Sequence, residues 1–181
     1  PYGGKTFRTE TEGMAALIPT LGKETTTCSL MSYGFNPDIS KWSPYHGSIY
    51  AIVESISKIV AMGGNYHTIR FSFQEYFERL GKNEKSWGKV TEALLGTIVV
   101  QDKFKRPAIG GKDSMSGTFQ DISVVPTLIS FAITAADVKD VMTPELKGAN
   151  HTLVEVMLPK DEFKVYDFNT LKVQYDGIMQ L

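Results

Sequence analysis

Apolar residues recur at helical spacing in two long stretches of this chain, and alternate or run together in several shorter ones. The first long stretch opens after Ser43, a hydroxyl N-cap, with Pro44 at the first helical position, where its missing N–H costs nothing. Ile49, Ile52, Val53, Ile56 and Val60 follow as one stripe, and Gly63 and Gly64 end the helix. A second helix is capped by Asn83 or Ser86 and turns Trp87, Val90, Leu94, Leu95 and Ile98 toward the core. Gly88 and Gly96 inside it cost about 1 kcal/mol each in propensity, so close packing against a neighbour is expected to offset them.

The shorter runs predict strands. Thr25 to Tyr33 is threonine-rich and is broken by Gly34 to Asp38; Tyr66 to Phe73 alternates; a short apolar approach ends at Ile109. Gln74 to Leu80 and Thr143 to Leu146 read as short helical turns, and His151 to Leu158 as a last strand. Val124 to Ala132 is apolar at nearly every position, so it needs cover on both faces. One helix layer supplies one cover. The other requires a partner sheet, from a second subunit or a second half of the full polypeptide. The expected fold is α+β, a mainly antiparallel sheet of four or five strands with two long helices on one face. Residues 1–24 form an irregular arm whose one candidate element is a helical turn at Glu12 to Leu17. Residues 25–158 form the domain, and the aperiodic residues 159–181 a tail or linker toward a further one.

Composition narrows the function classes. The 181 residues are 42% apolar and 22% charged, as in an ordinary globular domain, and the net charge of −1 leaves no basic footprint for nucleic acid or an anionic membrane. No run approaches the ~20 apolar residues of a membrane span, and no signal-peptide pattern opens the chain. The start at Pro1 reads as that of an excised piece. Cys28, the single cysteine, excludes an intramolecular disulfide and fits a reducing, cytoplasmic setting, as a small buried apolar residue rather than a nucleophile. Asn150-His151-Thr152 matches a glycosylation triplet with nothing else suggesting secretion. His46, His67 and His151 share no metal-ligand spacing.

The densest chemistry lies in AIGGKDSMSG, Ala108 to Gly117. Gly110 and Gly111 allow close backbone approach, Lys112 suits phosphate, Asp113 suits a hard cation, and Ser114 and Ser116 suit either. A P-loop is excluded by spacing, because Arg106 and Asp113 stand where its first glycine and its hydroxyl belong. From the residues alone, a solvated surface turn and a magnesium-nucleotide loop both remain open. Glu54, beside the first helix's apolar stripe, is on the same basis an exposed i,i+4 partner of Lys58, contributing at most about 0.5 kcal/mol.

The runs GGKDSMSG, VVPTLISFAI and VMTPEL, with NPDISKWSPYHGSIYAIVESISKIVAMGG (Asn36 to Gly64) and FSFQEYFERLG (Phe71 to Gly81), resemble phosphoribosylformylglycinamidine synthase of the large, single-chain type. The matches are collinear from about Gly13 to Gly148. That family makes formylglycinamidine ribonucleotide in purine synthesis, using ATP and glutamine-derived ammonia. The resemblance implies a domain similar to the N-terminal domain of the aminoimidazole ribonucleotide synthetase superfamily, in which two sheets join into a β-barrel with nucleotide near the joint. It implies ATP or ADP with Mg2+, bound through Gly110, Gly111, Lys112, Ser114 and Ser116, with Glu54 and Asp113 as magnesium ligands. Implied partners are the glutaminase domain and the other synthetase half of the same polypeptide, with a homodimer expected for the piece alone.

Two departures matter. The family's large enzymes often carry an asparagine metal ligand where this chain has Lys58, and an ammonium cannot coordinate a cation. Either one metal is lost or Lys58 contacts phosphate directly. A further aspartate ligand falls before Pro1. Two alternatives stand beside the synthase: a non-catalytic nucleotide-binding and pairing module, since the matching loop belongs to the family's second half, and another superfamily member acting on selenophosphate or thiamine phosphate.

Overall fold

The computed structural model describes residues 12–181; positions 1–11 of the expected arm lie outside the described residues. The Asn36 side chain accepts from the Asp38 and Ile39 N–H groups at 3.0 and 3.1 Å and starts α1 (Pro37–Trp42). Ser43 ends α1 and caps α2 (Pro44–Ala61) by accepting from the His46 N–H. Beyond α2, Gly63 sits at φ +85°, the left-handed conformation that favours glycine after a helix. Asn83 rather than Ser86 caps α3 (Glu84–Phe104).

The strands are β1 (Gly13–Leu17), β2 (Thr27–Gly34), β3 (Arg70–Tyr76), β4 (Ala108–Ser114), the small hairpin of β5 (Thr118–Phe119) and β6 (Ile122–Ser123), and β7 (Thr127–Asp137). Five of them form one sheet in the order β1-β2-β7-β3-β4, antiparallel throughout except for β3 and β4, which are parallel and joined through α3. This is the mixed α+β, mainly antiparallel arrangement expected. Helix α2 lies against β2 and β7, with α3 beside it. The core unites Ile49, Ile52, Ile56 and Ile59 of α2 with Leu30, Phe71, Phe73 and Leu128 of the sheet. Hydroxyls buried there are satisfied: Ser55 Oγ lies 2.9 Å from Ser130 Oγ, and Ser32 Oγ donates to the Ser55 carbonyl at 2.7 Å.

Of the face of helix α3 expected to turn inward, only Val90 does so. Val90, Ala93, Thr97, Val100 and Phe104 are buried, whereas Trp87, Leu94, Leu95 and Ile98 are between 41% and 58% exposed. Gly96 explains the choice. A side chain there would run into Ser48 Oγ and the Tyr45 carbonyl of α2, so the helices meet backbone to backbone on α3's small-residue side. Gly88 meets nothing and has no packing role.

Other differences follow from competition for partners. Phe71, Phe73, Glu75 and Phe77 are all buried, so the period of two carries β3 through Tyr76 where a helical turn was expected. Thr143 to Leu146 makes no helical turn, and His151 to Leu158 pairs with no strand, with Leu146 and Leu153 exposed. With Leu153, Val154 and Met157 all exposed, that run buries too little apolar surface to hold a strand in place. Two elements lie outside the 25–158 span: β1, paired with β2, and α4 (Phe168–Ile178). Asp167 caps α4 through the Asn169 and Thr170 N–H groups, and Phe168, Leu171 and Tyr175 are buried with Phe104 and Tyr66.

Along β7 the two faces differ. Leu128, Ser130, Ala132 and Thr134 are buried, while Ile129, Phe131 and Ile133 on the opposite face are only partly so, with Tyr33 and Tyr76 exposed beside them.

Candidate nucleotide and cation site

Gly110 to Ser114 form the body of β4, an edge strand, and not a loop. Phe73 pairs with Gly111, Gln74 with Lys112, Glu75 with Asp113 and Tyr76 with Ser114. Strand wins over turn because β3 offers a free edge. Neither glycine takes a positive φ; Gly111 instead serves close approach, since a Cβ there would run into the Phe73 backbone. The Ala108 N–H donates to Gln101 Oε1 at 2.7 Å on entry, and the Phe77 N–H donates to the Ser114 carbonyl at 2.8 Å on exit. A short irregular connection remains at 115–117, beside which Ser114 Oγ and Ser116 Oγ are 3.1 Å apart.

Strand alternation divides the candidate residues between two faces. Asp113 shares the helix-covered face with its register partner Glu75; Lys112 and Ser114 share the opposite face with Gln74 and Tyr76. Gln74 Nε2 also donates to the Lys112 carbonyl at 3.1 Å. The side chains of Lys112, Asp113 and Ser116 are exposed. A ligand that touches both the lysine and the aspartate must therefore wrap the free edge of β4.

Glu54 stands elsewhere. It lies over the end of β2, where a Cβ on Gly34 would touch its own Cβ at 2.9 Å. Glu54 Oε2 accepts from the Phe35 N–H at 3.1 Å, and Glu54 Oε1 pairs with Lys58 Nζ at 2.7 Å. Lys58 also pairs with Glu12 at 2.5 Å and lies 4.3 Å from the centre of the Tyr33 ring. Burial works against its ammonium, but the Glu12 and Glu54 carboxylates outweigh that and hold the pKa above the ordinary lysine value. Beside Glu54 is a cavity of about 330 Å³, walled by Asn36, Tyr50, Val53, Ser57, Leu158 and Tyr166. Burial, with the Tyr50 and Glu54 charges, pushes the Tyr166 hydroxyl up to about 12.

Gly34, Ser130, Phe73 and Gly111 form one row across the sheet, so three strand spacings, roughly 14 Å, separate the strand beneath Glu54 from that of Asp113. The structure does not bring these two carboxylates together. No group of three or more His, Cys, Asp or Glu side chains is gathered around a metal position among the described residues. Asp113, exposed and beside a second carboxylate, offers the hard oxygen that magnesium takes. Both Glu54 oxygens are already engaged.

The second carboxylate is Glu75, which sequence reasoning passed over. It is 3% exposed, and its Oε2 has no hydrogen-bond partner. Burial, and then the Asp113 charge, push its pKa up to about 7. Its signal was present: it occupies an inward position in the Phe71-Phe73-Glu75-Phe77 alternation. A carboxyl with a raised folded pKa binds its proton more tightly in the native state. Its stabilising effect is complete below the ordinary carboxyl pKa and is lost as pH rises through about 7. In chelator, the melting temperature is therefore expected to fall between about pH 5 and pH 8, and Glu75→Gln to flatten that fall; parallel pH profiles for the two proteins would refute this.

No known family profile and no curated protein sequence matches this chain. Solved structures do. T. maritima PurL complexed with FGAR aligns with a TM-score of 0.69 at 14% identity, covering 92% of this chain and 25% of that one. T. maritima PurL complexed with ADP aligns at 0.63 and 14% identity, covering 74% and 21%. Phosphoribosylformylglycinamidine synthase II from Thermotoga maritima aligns at 0.60 and 15%, covering 72% and 21%. The chain has the fold of the matched part of these proteins, and it spans a fifth to a quarter of their length.

Proposed function

We propose that this chain is a piece of a phosphoribosylformylglycinamidine synthase of the large, single-chain type and carries part of a magnesium-nucleotide site. The complete polypeptide uses ATP to activate the amide oxygen of formylglycinamide ribonucleotide, which glutamine-derived ammonia then displaces. The observation that carries this is the GGKDSMSG run, open on the edge strand of a fold shared with a protein solved with FGAR and with ADP. Lys112 and Ser114, with Ser116, hold phosphate oxygens, and Gly110 and Gly111 let the ligand approach the strand backbone. Asp113 holds the cation, which when bound neutralises polyphosphate charge. The glutaminase and the other synthetase half belong to the same polypeptide, in the cytoplasm.

One observation favours a second function, an auxiliary nucleotide site that is not turned over. Lys58 occupies Glu54 with a 2.7 Å ion pair, which leaves the helix side short of a metal ligand. Hydrolysis of bound ATP in the complete polypeptide separates the two.

Lys112→Ala is expected to weaken ADP binding with or without magnesium, and Asp113→Asn to weaken only the magnesium-dependent part. Each loss should be about 1 to 3 kcal/mol, the range for removing a charged hydrogen-bonding group. Titration calorimetry checks this. Equal affinity for the wild type and both variants would show that β4 is only an edge strand.

A further inference from the structure

We infer that Glu75 and Asp113 together bind one divalent cation, with Glu75 in place of Glu54 as the second protein ligand. The inference rests on the nucleotide proposal only in giving Asp113 a cation to hold. Glu75 carries the rest. The two residues are register partners on adjacent parallel strands, so their side chains leave the same face of the sheet as neighbours. Two like charges so placed repel, and a buried carboxylate oxygen without a partner is costly. No lysine, arginine or histidine is ion-paired with either among the described residues, and Lys112, the nearest cation in sequence to Asp113, projects from the other face.

Something positive is needed between them. A proton satisfies one carboxylate; a divalent cation satisfies both. Magnesium keeps several waters and is commonly held by one or two carboxylates together with phosphate oxygens. Two protein ligands therefore suffice. Glu75 supplies the buried side, fixed within the sheet, and Asp113 the exposed side, open to water and to a phosphate group.

The test uses the metal alone. Mn2+, followed by electron paramagnetic resonance and by calorimetry, is titrated at about pH 7.5 into the 181-residue chain and into Glu75→Gln, Asp113→Asn and Glu54→Gln. Glu75→Gln and Asp113→Asn are each expected to weaken Mn2+ binding at least tenfold, and Glu54→Gln less than twofold. Near-UV circular dichroism checks that Glu75→Gln, a nearly isosteric change, keeps the native packing; loss of that packing sends the comparison to Glu75→Asp, expected to retain binding more weakly than wild type. Wild-type affinity in Glu75→Gln, a large loss in Glu54→Gln, or no Mn2+ binding by the wild type overturns the inference. If Mn2+ binds as expected while ADP does not bind, the nucleotide proposal fails and the cation site stands; if magnesium-dependent ADP binding ignores Glu75→Gln, the reverse holds.

Discussion

Gly96→Leu is expected to destabilise the chain by roughly 3 kcal/mol or more, above the usual cost of overpacking, because one wall of the contact is backbone. A side chain at position 96 meets Ser48 Oγ, which can rotate, and the Tyr45 carbonyl, which cannot move without shifting α2. Helix α2 is the layer on which the sheet core depends, so the strain spreads to Ile49, Ile52 and Ile56. Gly88→Leu is the matched control. It adds the same side chain to the same helix at a position where a Cβ meets nothing within 4 Å, and should gain up to about 1 kcal/mol in helix propensity. Urea unfolding followed by circular dichroism measures both; similar midpoints for the two variants would show that the close approach of α2 and α3 does not hold the fold together.

The second large effect concerns the sheet's other face. β7 turns Leu128, Ser130, Ala132 and Thr134 to the helices and presents the larger Ile129, Phe131 and Ile133 on the opposite side. Tyr33 and Tyr76 extend that apolar surface, at 43% and 38% exposure. A second sheet, from another copy or from the rest of the polypeptide, is the cover expected for such a face. At tens of micromolar the isolated chain should therefore sediment as a dimer. Phe131→Asp should weaken association about 100-fold, which is about 2.7 kcal/mol, while leaving the helix-side core intact. A wild-type chain that sediments as a monomer, with little apolar dye bound, would sink this expectation.

Local chemistry made α2 legible: a hydroxyl cap, a proline that costs nothing at the first position and a single apolar stripe. The cap of α3 was narrowed to Asn83 or Ser86, but its inner face was not legible, because this helix carries two apolar stripes. Periodicity ranked Trp87, Leu94, Leu95 and Ile98 by size, whereas packing chose the side on which Gly96 lets two backbones approach. The candidate site shows the same limit. Chemistry-bearing residues were visible in AIGGKDSMSG, yet their division between two faces depends on β4 pairing in parallel with β3, a long-range fact. Glu75 was hidden because Gln74 to Leu80 reads as a helical turn, which cuts the Phe71-Phe73-Glu75-Phe77 alternation short before it reaches the glutamate. α4 was missed for want of a long stripe; its Phe168, Leu171 and Tyr175 matter only because Phe104 and Tyr66 wait for them.

The position of β4 has a consequence for local opening. It is hydrogen-bonded along one side only, to β3, and its middle, Gly-Gly-Lys-Asp-Ser, puts no large apolar side chain into the core. A segment held by few buried contacts belongs to the low-stability end of a protein's opening hierarchy. Its amide hydrogens should exchange with solvent deuterium well before those of β7, which is flanked on both sides, and the strand should be released without unfolding the rest. A ligand gripping both faces would act as the missing neighbour, so ligand engagement would be written as slowed deuterium uptake over Gly110 to Ser114.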